Sequence, residues 1–208
     1  MFRHPDPEAL VVGAGPVGLI AALFLRRNGV SVEIIDMDQR TTQHSYALAI
    51  HPRTLAILDE AGLAEPLIAA GRKLTKVAYY EGPERRAEID YSSLAATHPY
   101  LLVVRQSVLE SVAAEALRAE KLKVRWGHRL QGLNNLGGVL HAEVAELEQV
   151  AAGYPVARNE WVVRRSTTIK PAYVIGADGY DSAVRRMSGI EMEEQDRKST
   201  RLNSSHRT

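Results

Sequence analysis

Three glycines near the start of the chain have the spacing of a phosphate-binding turn. Gly13, Gly15 and Gly18 interrupt an apolar run over residues 10–19. In a Gly-x-Gly-x-x-Gly turn between a strand and a helix, one glycine turns the chain, one admits a pyrophosphate to the backbone, and one lets helix and strand pack closely. The phosphates then lie at the helix N-terminus, where unpaired N–H groups and the helix dipole favour anions. The turn predicts dinucleotide binding by residues of one continuous segment: Gly13, Ala14, Gly15, Pro16, Val17 and Gly18.

A carboxylate follows at the distance that a dinucleotide site requires. The helix expected over 17–28 ends at an Asn-Gly pair, and a β-branched segment over 31–36 then predicts a second strand, which completes a βαβ unit. Asp36 ends that strand 23 positions after Gly13 (36 minus 13), near the offset of about 20 residues at which an acid binds the adenosine ribose. The alternative is an ordinary acid at a strand end. Ribose binding is favoured because the glycine turn precedes it.

The later pattern departs from that of a nicotinamide-binding domain, which continues to alternate strand and helix as βαβαβ. Here helices, an antiparallel-looking excursion and a late apolar strand follow the first βαβ unit. This order favours an α/β flavin-binding fold, in which a Rossmann-like βαβ unit with a parallel sheet is interrupted by antiparallel strands. The expected elements are helices over 53–62, 64–70 and 106–120, strands over 74–81, 85–91, 99–105, 122–126 and within 129–165, a buried strand over 170–177, and a short helix that ends at Met187.

Composition and charge disfavour several other classes of protein. The chain has 208 residues, of which 45% are apolar and 25% charged, so it can bury the core of a globular protein. The absence of cysteine excludes disulfides and thiolate metal sites and is compatible with a reducing compartment, so the expected location is cytoplasmic. Basic pairs are scattered without interleaved aromatics, which gives nucleic-acid binding no support. The apolar run over 9–25 is broken by glycines and is too short to span a membrane.

No side chains form a recognisable catalytic or metal-binding set. The seven histidines show no close metal-type pairing, and no serine stands in a Gly-x-Ser-x-Gly elbow. Hydrolase and metalloenzyme functions are therefore disfavoured, no metal is expected, and no catalytic residue is assigned.

Three segments together resemble the flavin-dependent aromatic hydroxylases, the group A monooxygenases of the p-hydroxybenzoate hydroxylase and phenol hydroxylase type. Residues 11–19 with Asp36 are similar to the ADP-binding fingerprint of that family. Residues 105–110 are similar to the segment whose glutamine, here Gln106, contacts the flavin nucleotide. Asp178 and Gly179 stand in a segment that resembles the Asp-Gly fingerprint, which is associated with the pyrophosphates of both flavin and NAD(P)H.

The resemblance implies that FAD is the cofactor, NAD(P)H the reductant, and O2 and a small aromatic molecule the substrates of a monooxygenase. A related FAD-dependent oxidoreductase, such as an epoxidase, halogenase or reductase, would share the same fingerprints. A nucleotide-binding module without catalysis is the alternative from another class. For Asp178 the alternative is an ordinary turn in which the aspartate caps a helix.

The expected organisation has a FAD-binding domain over 1–187, with β excursions at about 74–105 and 129–165, followed by a linker over 188–195. Residues 196–206 look like the in-frame translation of a sequencing-adapter oligonucleotide, so we expect the segment 196–208 to be non-native. The alternative is a natural polar tail. Two features depart from the family. Tyr46 stands where many relatives have an arginine, and the later Gly-Asp motif that holds the ribityl chain does not follow Arg185. We therefore expect the chain to be the front part of a longer enzyme and to bind FAD weakly or not at all.

Overall fold

The structure, a computed structural model, describes residues 5–39, 47–152 and 158–193. The predictions for Tyr46 and for the segment 196–208 lie outside these residues. The strands are β1 (Ala9–Val12), β2 (Val32–Asp36), β3 (Ala47–Ile50), β4 (Arg72–Leu74), β5 (Lys76–Glu81), β6 (Glu84–Asp90), β7 (Leu101–Arg105), β8 (Arg125–Trp126), β9 (His128–Leu136), β10 (Val139–Ala152), β11 (Arg158–Ile169) and β12 (Tyr173–Gly176). The helices are α1 (Pro16–Arg27), α2 (Pro52–Glu60), α3 (Ala64–Ala70), α4 (Gln106–Ala119) and α5 (Ala183–Met187).

A four-stranded parallel sheet in the order β12-β1-β2-β8 organises the fold. The central strand β1 pairs with β2 on one side and with β12 on the other, so the chain leaves β1 and returns to it from opposite sides. Such a switch point opens a crevice beyond the carboxyl ends of the strands. The glycine turn follows β1, Asp36 ends β2, and Asp178 follows β12, so all three are placed at the same edge of the sheet.

Antiparallel sheets are inserted between the parallel strands, as the pattern predicts. Strands β9, β10 and β11 form a meander, β7 pairs with both β3 and β4, and β5 and β6 form a hairpin. The expected fold class is thus confirmed. The strand β3, Ala47–Ile50, was not predicted, because no turn signal marks these four residues in the sequence. The strand forms through its pairing with β7.

Both faces of the parallel sheet are covered, which is typical of parallel strands. Val11 faces one apolar cluster with α1 and α4, including Leu23 and Leu117. Leu10 and Val12 face a second cluster, formed with residues of the meander and α5. The central strand β1 is buried at all four positions, so the turn that follows it starts from a fixed backbone. No helix among the described residues is long and apolar enough to cross a membrane.

The prediction of a buried strand at 170–177 is wrong in its burial. The strand β12 spans Tyr173–Gly176, and the side chain of Tyr173 is 71% exposed. The physical reason is its place in the sheet, because β12 lies at the edge and pairs with β1 alone among the described strands. An apolar run in the sequence does not distinguish an edge strand from a central one.

We expect Gly18→Ala to destabilise the fold. A Cβ on Gly18 would lie 1.9 Å from the carbonyl oxygen of Gly13, a backbone atom that moves only with the whole turn. Overpacking of this kind costs about 1–3 kcal/mol, more than the helix propensity that alanine gains over glycine, about 1 kcal/mol. Urea denaturation should therefore show a lower free energy of unfolding. The matched control is Gly15→Ala, since a Cβ there meets no heavy atom within 4 Å. Equal losses in the two variants would contradict the packing argument.

Candidate functional site

A cleft of about 320 Å³ opens at the carboxyl edge of the parallel sheet. Its size is within the range of small-molecule sites, about 300–1,000 Å³. Five parts of the chain meet there: the glycine turn, the end of β2, the start of α4, the corner between β8 and β9, and the turn before α5. The residues that line it are Val12, Gly13, Ala14, Gly15, Asp36, Met37, Asp38, Gln106, Glu110, Trp126, His128, Arg129, Leu130, Ala177, Asp178, Gly179 and Ala183.

Each of the three positions in the turn favours glycine for a different structural reason. Gly13 has a positive φ of 103°, and a Cβ on it would lie 2.3 Å from the carbonyl oxygen of Ala177. Gly18 lies inside α1 and packs against the carbonyl of Gly13. Gly15 has open space at its Cβ position and lines the cleft. Gly13 and Gly18 are thus required by the fold, whereas Gly15 is the glycine whose missing side chain leaves room for a ligand.

The N-terminus of α1 lies beside Gly15 and is free to bind an anion. Gly15 is the N-cap residue and supplies no side-chain hydrogen bond, and the first turn of the helix contains no acid. The partial positive charge of the helix dipole is therefore not neutralised by the helix's own side chains. Pro16 begins α1, and Val17 is 71% exposed. Pro16, Val17 and Gly18 are not among the residues that line the cleft, and their contact with a cofactor stays a prediction.

The carboxylate of Asp36 holds two backbone segments at the cleft. Its Oδ2 accepts a hydrogen bond from the N–H of Ala14 at 2.5 Å, and its Oδ1 accepts from the N–H of Asp38 at 2.8 Å. A carboxylate offers about four lone-pair positions, so it retains acceptor capacity for hydroxyl groups. Asp36 therefore fixes the glycine turn and is positioned to accept the hydroxyls of a ribose.

Gln106 begins α4 directly after β7 and reaches the cleft together with an acid that the sequence analysis missed. The Nε2 of Gln106 donates a hydrogen bond to Oε1 of Glu110 at 2.8 Å. Glu110 is only 2% exposed. The available signal was an acid four residues after Gln106, between apolar positions of one helix face.

Asp178 has the geometry of a helix cap and also lines the cleft. Its Oδ1 accepts from Oγ of Ser182 at 2.6 Å, and its Oδ2 accepts from the N–H of Ala183 at 2.6 Å and of Val184 at 3.2 Å. The neighbouring Gly179 has a positive φ of 81°, which favours glycine at this position. The capping alternative is therefore present in the structure, and a direct contact of Asp178 with a cofactor stays a prediction.

The corner between β8 and β9 adds side chains that the sequence analysis did not predict to lie at the site. Trp126 and His128 flank Gly127, whose N–H donates to the carbonyl of Asp38 at 2.7 Å and whose carbonyl accepts from the N–H of Leu147 at 2.7 Å. The exposed Arg129 is the one lysine or arginine among the described residues that line the cleft. The corner reaches the site because β8 pairs with β2, and this long-range pairing leaves no local signal in the sequence.

Asp38, two residues after the end of β2, has a raised pKa. Partial burial, and then the repulsion of the Asp36 carboxylate, raise the pKa of Asp38 above its usual value of 3.8. Both acids line the same cleft. An arriving anion therefore meets the carboxylate of Asp36 close to the uncapped N-terminus of α1, because Asp36 is hydrogen-bonded to Ala14, the neighbour of the N-cap residue Gly15. Among the described residues, no group of three or more His, Asp or Glu side chains is arranged to hold a metal ion.

Three features of the cleft fit a flavin dinucleotide. Gly15 leaves open space and the N-terminus of α1 is uncapped, and a bound pyrophosphate requires both the space and the helix N-terminus. Asp36 offers acceptors where a ribose requires them. The structure brings seven of the predicted residues onto one cleft: Gly13, Ala14, Gly15, Asp36, Gln106, Asp178 and Gly179.

Comparison with known proteins gives one family and a consistent set of relatives. A family profile described as FAD binding domain matches residues 6–205. The chain is 31% identical over 196 residues to pentachlorophenol 4-monooxygenase of Sphingobium chlorophenolicum, covering 93% of this chain and 34% of the relative. The profile match extends into 196–208, whose interpretation as a translated oligonucleotide stays a prediction.

Two solved structures have the same fold over nearly the whole chain. An anhydrotetracycline hydroxylase from Streptomyces rimosus superposes with a TM-score of 0.76 and 27% identity, covering 91% of this chain and 35% of that one. A flavin-dependent monooxygenase in complex with FAD and substrate has a TM-score of 0.72 and 25% identity, covering 91% and 33%. The chain spans about one third of the length of the curated relatives that it matches.

We expect Gly15→Ala to weaken nucleotide binding without weakening the fold. Gly15 has φ −70° and ψ −178°, which alanine adopts freely, and its Cβ would enter the open space of the cleft. A methyl group in the path of the phosphates should raise the Kd for ADP about tenfold or more, as measured by isothermal titration calorimetry. The melting temperature should match that of the unchanged chain. Unchanged ADP affinity would show that the phosphates do not approach this glycine.

We expect Asp38→Asn to stabilise the chain at neutral pH. The pKa of Asp38 is raised in the folded state, so its ionisation disfavours folding above that pKa, and the penalty disappears below 3.8, where the acid is protonated in both states. Urea denaturation should give a higher midpoint for the variant at neutral pH and equal midpoints below 3.8. Glu115→Gln, on the exposed face of α4, is the control for general charge removal. A variant that is less stable at neutral pH would contradict the repulsion.

Proposed function

We propose that this chain, which belongs to the family of FAD binding domains, forms one part of an aromatic hydroxylase-type monooxygenase. That part binds the ADP half of FAD. The observation that carries the proposal is the meeting of three features at one cleft: the open position at Gly15, the uncapped N-terminus of α1, and the carboxylate of Asp36. Together they offer N–H donors and a positive dipole to a pyrophosphate, and oxygen acceptors to a ribose.

The residues of the cleft would divide the work of holding FAD. Gly15 leaves room for the pyrophosphate at the N-terminus of α1, and Gly13 and Ala14 shape the turn, since their N–H groups donate to Ile35 and Asp36. Asp36 accepts hydrogen bonds from the ribose hydroxyls and keeps the turn in place through the N–H of Ala14. Gln106 contacts an edge of the nucleotide. Asp178 and Gly179 fix the turn before α5, which closes the cleft on the side of β12.

The bound FAD would supply the redox chemistry, which amino-acid side chains cannot perform, and the protein supplies binding and orientation. We infer that the whole enzyme takes electrons from NAD(P)H and transfers an oxygen atom from O2 to a small aromatic substrate. The names of the relatives support a monooxygenase over an epoxidase, halogenase or reductase, because they include pentachlorophenol, para-nitrophenol and anhydrotetracycline monooxygenases. A cytoplasmic location remains part of the proposal.

The proposal is tested by asking which half of FAD the chain binds. We expect FAD and ADP to bind with Kd values within about threefold of each other, and FMN, which lacks the adenosine half, not to compete, because the cleft offers its contacts to the adenosine diphosphate. Fluorescence titration with FAD and competition by ADP and FMN measure this. The proposed function fails if neither FAD nor ADP binds. Binding of FAD about 100-fold tighter than ADP, with a yellow complex that survives desalting, would overturn the assignment of this chain to the ADP half alone.

A further inference from the structure

Glu110 is a buried acid for which the proposed function, as stated so far, has no use. It is 2% exposed and lies on α4 beside the apolar residues Leu109, Ala113 and Leu117 of the same helix. Glu110 and Ser182 are the polar residues in the buried part of the described chain, and only Glu110 carries an ionisable group. Removing a carboxylate from water is costly unless it is hydrogen-bonded. An apolar side chain would fill the same position without that cost, so packing alone does not explain the acid.

The hydrogen bond of Glu110 fixes one side of the Gln106 amide. An amide donates hydrogen bonds only through its nitrogen and accepts them only through its oxygen. Nε2 of Gln106 faces Oε1 of Glu110 and donates to it at 2.8 Å. With the nitrogen held on that side, the amide oxygen of Gln106 is kept on the other side, as an acceptor for a ligand.

The two residues lie one helical turn apart, at the start of α4, and both line the cleft. Residues four apart on a helix are neighbours, so their hydrogen bond requires no change in the backbone. Glutamine has three side-chain torsions, and ordering a side chain of this type on binding costs conformational entropy. A partner that orders it beforehand lowers that cost.

We infer that Glu110 is a positioning residue for FAD, which acts by holding the amide of Gln106 in the orientation that accepts a hydrogen bond from the nucleotide. The inference rests on the proposed function, because it requires a flavin nucleotide in the cleft. Glu110 makes its contribution to binding through the side chain of Gln106.

The test is a double-mutant cycle on FAD affinity. The variants are Gln106→Ala, Glu110→Met, which keeps an unbranched side chain of similar length without an acceptor oxygen, and the double variant. We expect each single substitution to raise the Kd for FAD about tenfold, the effect of one hydrogen bond. The double variant should lose about the same tenfold, because the Gln106 amide through which Glu110 acts on FAD is already absent. Losses that multiply to about 100-fold would overturn the inference, since two residues that bind independently are additive in free energy.

A conservative variant separates positioning from charge and from folding. In Glu110→Gln the new amide oxygen still accepts from Nε2 of Gln106, so we expect the Kd for FAD to stay within about threefold of that of the unchanged chain. Should Glu110→Met fail to fold, Glu110→Gln decides the question, because a loss above tenfold would mean that the carboxylate contacts the ligand directly. Glu115→Gln, on the exposed face of the same helix, is the matched control and should bind FAD normally.

The outcomes distinguish the inference from the function on which it rests. Failure of the unchanged chain to bind FAD or ADP removes the proposed function and the inference together. Normal binding by the unchanged chain with additive losses in the cycle removes the inference alone. A lower melting temperature in Glu110→Met with unchanged FAD affinity would assign Glu110 to folding and would also overturn the positioning role.

Discussion

The cleft depends on a contact between two backbones. The turn after β1 and the turn after β12 approach so closely that a Cβ on Gly13 would lie within 2.7 Å of three backbone atoms of Ala177 and Asp178. The N–H of Gly13 also donates to the carbonyl of Ile35, and that of Ala177 to the carbonyl of Val12. The ends of β1, β2 and β12 are therefore locked to one another, and every group that faces the cleft is positioned from this junction.

The electrostatics of the cleft are unusual for a site that is to bind a diphosphate. Among the residues that the structure describes, four carboxylates line it, those of Asp36, Asp38, Glu110 and Asp178, against the guanidinium of Arg129. Three of these acids already accept hydrogen bonds from N–H or O–H groups of the protein itself. These three acids orient the groups of the protein that donate to them. The attraction for phosphate comes from backbone N–H groups and the dipole of α1.

The sequence predicts the parts of the site whose signals are local. The glycine spacing, the acid at the end of β2 and the glutamine at the start of α4 are each readable within a few residues, and the structure brings all of them to one cleft. The sequence did not predict the corner at Trp126, the hydrogen bond from Gln106 to Glu110, or the exposure of β12. Each of these depends on which elements are neighbours in three dimensions, and a pattern of apolar residues along the chain does not encode that.

Gly127 joins two layers of the molecule through a single residue. Its N–H is held by the carbonyl of Asp38 at the cleft, and its carbonyl by the N–H of Leu147 in the meander, where β10 has a bulge between Glu146 and Leu147. The meander cannot separate from the parallel sheet without disturbing these hydrogen bonds, one of which holds the segment that follows Asp36. Loss of the meander should therefore melt the ribose end of the cleft as well, so the two sheets behave as one cooperative unit in unfolding and in amide hydrogen exchange.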